Sequence, residues 1–189
     1  MIDFLFIHIP KCGGSSVVKA FDYHHPHYPD KSKEHYRWLD YDESVKKKYS
    51  FAVVRDPLAR IVSWFFFHKQ TCSEEELKYY DYETFQDWFD DGLKTHWASD
   101  PFTMKNWVCN KSGNLIVDDI FFLEEISRPN SFHWLKLKQK IKACESIQLP
   151  HEMSSNHYNY KGYFSKERYQ KAISICQEDI EFFKLHAYE

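Results

Sequence analysis

The stretch Phe4-Leu-Phe-Ile-His-Ile-Pro-Lys-Cys-Gly-Gly-Ser-Ser16 constrains the chain more than any other. Apolar and aromatic residues run to Ile9, Pro10 and the Gly13-Gly14 pair break the run, and Ser15-Ser16 open a segment carrying Val17, Val18, Ala20 and Phe21. The pattern predicts strand, tight loop, helix. Glycines in such a loop let the backbone approach a ligand, while the first N–H groups of the helix lack internal partners and favour negative charge. Lys11 adds a positive charge and the Ser15 and Ser16 hydroxyls add donors, a set that suits the oxygens of a phosphate or sulfate group.

A second corner follows. Tyr49-Ser-Phe-Ala-Val-Val54 reads as a strand buried on both faces, and Asp56-Pro57 supply an N-cap and a first helical residue, so Leu58 to His68 is expected to be helical. Arg55 stands at the corner, with Arg60 and Ser63 three apart on one helical face, so that two or three polar groups can converge on a second anion. One α/β domain spanning 1–189 is expected: a P-loop-like, three-layer arrangement with a central parallel sheet flanked by helices and the ligand at the carboxyl ends of the strands. An ordinary nucleoside-triphosphatase loop places its lysine after the glycines; here Lys11 precedes them, which argues against a kinase or ATPase.

The rest of the chain supplies core and cleft. Phe85, Trp88, Phe89 and Leu93 lie at helical spacing and read as core contacts. Leu115 to Leu123 is a third apolar run, with Asp118-Asp119 inside it read as exposed strand-end acids. Ser131 to Ile147 reads as a helix burying Phe132, Leu135 and Ile141. Ser165 is expected to cap a last helix with Tyr169, Ala172, Ile173, Cys176, Ile180 and Phe183 on its apolar stripe. The net charge of −3 argues against a general nucleic-acid coat protein. Five cysteines without a C-x-x-C pair argue against a zinc site or a disulfide framework and for a reducing compartment, with a single bridge such as Cys72 to Cys109 left open. His24, His25 and His27 read as a surface segment rather than a metal site. The opening residues lack a basic n-region and are too short to cross a bilayer, so a cytoplasmic protein without a membrane span is expected.

His8-Ile-Pro-Lys-Cys-Gly-Gly-Ser-Ser16 resembles the 5′-phosphosulfate loop of the sulfotransferases, particularly the branch with the heparan-sulfate 2-O-sulfotransferases and related carbohydrate enzymes. Val53-Val-Arg-Asp-Pro-Leu-Ala-Arg-Ile-Val-Ser-Trp-Phe65 resembles the 3′-phosphate element of that family, and more weakly Val117 to Glu125 and Asn156 to the final helix are similar to its later strand and its C-terminal cofactor loop. The resemblance implies 3′-phosphoadenosine 5′-phosphosulfate (PAPS) as donor, 3′,5′-ADP as product, no metal, and a hydroxyl acceptor of the sugar class. It also implies that Lys11, Cys12, Gly13, Gly14, Ser15 and Ser16 hold the 5′-phosphosulfate, Arg55 and Ser63 the 3′-phosphate, with Lys161 and Tyr160 over the nucleotide. Cys12 stands where threonine is more usual. Transfer needs charge stabilisation, for which Lys11 serves, and a base, for which His35 lies where related carbohydrate enzymes place a histidine; Glu34 and His96 are the alternatives. His8, within the strand, is expected to be a packed or orienting residue. A nucleotide-binding module without turnover and a small-molecule kinase are the competing functions.

Overall fold

A computed structural model describes residues 4–23, 35–71, 73, 82–93, 103–143, 146–150 and 159–184. The strands are β1 (Phe4–Ile7), β2 (Tyr49–Val54) and β3 (Asp119–Phe122), and the first helix is α1 (Gly14–Ala20). Short helices α2 (Glu43–Lys46), α4 (Phe85–Asp90), α5 (Lys105–Val108) and α6 (Leu123–Ile126) alternate with the longer α3 (Pro57–Thr71), α7 (Phe132–Lys140) and α8 (Lys166–Phe182). Contacts divide the chain into two compact units, Met1–Arg55 with Met104–Met153, and Asp56–Thr103 with Ser154–Glu189.

The first unit holds the sheet, a mixed α/β arrangement of three parallel strands in the order β1-β2-β3 flanked by helices. Phe4 pairs with Tyr49 and Ile7 with Ala52, while Phe51 pairs with Asp119 and Val54 with Phe122. Alternation along each strand divides the burial: Phe4, Phe6, Phe51, Val53 and Phe121 join Val17, Ile126, Trp134 and Leu137 in one cluster, and Leu5, Ile7, Ala52 and Val54 are fully buried on the other face. The third apolar run gives a shorter strand than expected. Leu115 instead forms an antiparallel bridge with Cys109 across a turn in which the Asn110 side chain accepts from the Ser112 and Asn114 N–H groups. The two aspartates at the start of β3 tie it to β2 and α7. Asp118 accepts from the backbone N–H (2.7 Å) and hydroxyl (2.8 Å) of Ser50, and Asp119 accepts from the Tyr49 hydroxyl and pairs with Lys136.

The helix expected over 131–147 is α7, capped by the Ser131 side chain and closed at Ile141. Its buried face is a correction: Trp134 and Leu137 are inside, whereas Phe132 is 75% and Leu135 49% exposed. Two apolar pairs at i, i+3 compete on this helix, and the face carrying the indole, 5.6 Å from the Phe21 ring, is the one buried.

The Tyr23 hydroxyl accepts from the Phe6 N–H at 3.0 Å on the β1 side away from β2, satisfying an edge donor that is buried. Burial pushes the Tyr23 phenol up to about 12. The unfolded chain ionises near 10, so this contribution is complete below that pH and is lost as the pH rises towards about 12. Burial raises Tyr41 and Tyr49 in the same sense. The urea midpoint is therefore expected to fall steeply above pH 10. Tyr23→Phe should lose about 1–3 kcal/mol near neutral pH, through the orphaned Phe6 N–H, and then show a shallower alkaline fall. Parallel curves for the two proteins would contradict the assignment.

The second unit packs Leu58, Ile61, Trp64 and Phe65 of α3 against Phe85, Trp88 and Phe89 of α4 and Ala172 and Cys176 of α8. Asp56 caps α3 as expected, its Oδ1 accepting from the Leu58 and Ala59 N–H groups, both at 2.9 Å. Thr84 caps α4 and Ser165 caps α8. The stripe of α8 departs from expectation in one residue, since Asp179 is buried at 3% exposure. Arg60 is buried too, its guanidinium 4.7 Å over the Trp64 ring. Burial pushes the Cys176 thiol up to about 12; the Asp179 carboxylate adds to this, and the Arg60 cation opposes it. Arg60 is thus an interior cation of this unit.

Candidate active site

The loop between β1 and α1 is built by backbone hydrogen bonds at short range. Ile9 N–H donates to the Ile7 carbonyl (3.1 Å), Cys12 N–H to that of Ile9 (3.3 Å), and the Ser16 and Val17 N–H groups to that of Gly13 (3.1 and 3.2 Å). Two of its residues are left-handed, Lys11 at φ 64° and Gly13 at φ 75°. For lysine that conformation costs about 1–2 kcal/mol, and such strain concentrates at functional loops. The N–H groups of Gly14 and Ser15 open α1 and have no acceptor within the helix. Ser15 is exposed, Lys11 half-buried and Ser16 buried.

The two glycines serve different ends. Gly13 supplies the positive φ and passes close to Leu123, whose Cδ1 would lie 2.5 Å from a Cβ there. Gly14 makes room: a Cβ on it would stand 1.8 Å from Cδ2 and 1.9 Å from Nε2 of His8. Cys12 turns inward, its thiol 3.6 Å from Met104 Sδ and its N–H engaged by Ile9, so its part is to shape the loop.

The second corner meets the first. Arg55, half-buried at the end of β2, donates through Nη1 to the Lys11 carbonyl at 3.4 Å. No other partner of its guanidinium lies among the described residues, so its remaining N–H donors suit a further acceptor. His35 belongs to the same unit. Its ring lies 4.4 Å from that of His8 and 6.4 Å from that of Trp107, and His8 stacks in turn on Phe6 at 5.7 Å and 20°. Lys11, the loop, Arg55 and the histidines are thus connected by contact within one unit.

Ser63 and Lys161 lie in the second unit. Ser63 is buried at 4% exposure among the apolar residues of α3, and Lys161 is exposed. Beside Lys161, the Tyr160 hydroxyl donates to Asp56 Oδ2 at 2.6 Å, so the short 3-10 helix Tyr160–Tyr163 is tied to the residue that caps α3. That tie joins positions 104 residues apart, and no local pattern announces it. Glu34, His24, His25, His27, His96 and Cys72 lie outside the described residues. Among the described residues no three His, Cys, Asp or Glu side chains gather as for a metal ion, and no helix is long and apolar enough to cross a membrane.

A comparison with family models matches residues 2–186 to one described as the Sulfotransferase family. No curated protein and no solved structure matches the chain.

Proposed function

Because the chain belongs to the sulfotransferase family, we propose that it moves a sulfuryl group from PAPS to a hydroxyl acceptor, a carbohydrate by its resemblance to the glycan-modifying branch. The observation that supports this reading best is the contact from Arg55 to the Lys11 carbonyl, which joins a strained, donor-rich loop to a second cationic corner. A donor with separated anionic groups suits that set: N–H groups and Lys11 for the 5′-phosphosulfate, the open guanidinium fork of Arg55 for the 3′-phosphate. Ser63 and Lys161 are proposed as donor contacts from the resemblance alone.

PAPS supplies the sulfuryl group when bound. His35 takes the acceptor proton as the acceptor oxygen bonds to sulfur, and the bond from sulfur to the 5′-phosphate oxygen breaks. Lys11 stabilises the charge that develops on that departing oxygen, while the loop N–H groups hold the phosphosulfate in line. The products are the sulfated acceptor, 3′,5′-ADP and a proton on His35.

Incubation with radiolabelled PAPS and a panel of glycans, phenols and simple alcohols tests this reading. A glycan should be labelled, and His35→Ala should lower turnover by about 10²–10⁴-fold with little change in 3′,5′-ADP affinity. Nucleotide binding without label in any acceptor would favour the binding module. Full turnover in His35→Ala would move the base to another residue.

A further inference from the structure

Resting on the reading of His35 as base, we infer that His8 is its positioning residue, a flat spacer between Gly14 of the loop and the His35 ring that sets the distance of the base from the bound donor. Gly14 carries the argument. Its neighbour Gly13 needs glycine for a φ of 75°, but Gly14 is an ordinary helical residue with no positive φ, so its missing side chain answers to space. The space is taken by the His8 imidazole, which sits where a Cβ would be, 1.8 Å from its Cδ2.

The ring has little freedom to move. His8 is 8% exposed, directly follows β1, and has the Phe6 ring at 5.7 Å and the His35 ring at 4.4 Å, with Trp107 next to His35. A shift of the spacer therefore moves the loop, the base, or both. A misplacement on the order of 1 Å lowers a transfer rate by about 10²-fold. An ordinary core position asks only for volume, and an aliphatic residue at 8 with alanine at 14 would fill it.

A swap of volume across the contact tests the spacer. Gly14→Ala alone should weaken 3′,5′-ADP binding by about tenfold or more, and adding His8→Ala should restore affinity to within about threefold, a strong non-additivity for touching residues. Turnover in the double variant, measured with the acceptor labelled best in the panel, should stay down by about 10²-fold. His8→Phe keeps a flat ring and should retain turnover within about threefold, and the His35 Hε1 resonance should move in His8→Ala but stay near its place in His8→Phe. Failure of His8→Ala to rescue Gly14→Ala would overturn the inference, as would full turnover in the double variant beside an inactive His35→Ala. A loss in His8→Phe as deep as in His8→Ala would replace the spacer by a role for the ring nitrogens. Full turnover in His35→Ala would instead remove the base reading itself.

Discussion

Lys11→Met is expected to lower kcat by about 10²–10³-fold while 3′,5′-ADP affinity changes by less than about tenfold. The split follows from when the lysine charge matters. In the proposed reaction the product nucleotide keeps its 5′-phosphate and much of the ground-state contact, but the negative charge on the bridging oxygen grows only as sulfur departs, so Lys11 is expected to contribute most at the transition state. Methionine preserves the stem and, being another non-glycine residue at φ 64°, the same backbone strain, so the comparison isolates the ammonium group. Single-turnover kinetics with labelled PAPS, paired with calorimetry, measure both quantities. An equal loss in affinity and rate would reduce Lys11 to a ground-state anchor.

Arg55→Ala is expected to weaken 3′,5′-ADP binding by about 10–100-fold, the equivalent of about 1.5–3 kcal/mol for a hydrogen-bonded charged contact. Two effects overlap in this variant, because the same guanidinium also braces the Lys11 carbonyl. At 3.4 Å the brace is long for an N–H to oxygen bond, and its loss is worth well under about 1 kcal/mol. In the proposed complex the phosphate contact is therefore expected to dominate. Arg55→Lys should recover part of the affinity, retaining charge without the two-pronged geometry, and the melting temperature of both variants should stay within a few degrees of the parent. Unchanged affinity in Arg55→Ala would remove this residue from the donor site.

Local signals carried much of this reading. The strand, loop and helix around Gly13-Gly14, the Asp56 cap with Pro57 at the head of α3, and the Ser165 cap all depend on residues within a few positions of one another, and each forms as its pattern predicts. What the sequence did not disclose depends on long-range packing. The competing faces of α7 were decided by Trp134 against Phe21, and burial of Arg60 and Asp179 required α3 and α8 to be brought together. Likewise, Gly14 reads as one of a loop pair until the His8 ring is seen beside it, and the role of Asp56 doubles only when Tyr160 arrives from the far end of the chain.

Calorimetric titration of the unmodified protein with 3′,5′-ADP, 5′-AMP and ATP with magnesium tests the central claim most directly, since the claim is that Arg55 and the Lys11 loop grip separate anionic groups of one nucleotide. The account predicts that 3′,5′-ADP binds about tenfold or more tighter than 5′-AMP, the margin of one charged contact, and tighter than ATP. Equal affinity for 3′,5′-ADP and 5′-AMP, or a preference for ATP with magnesium, would contradict it.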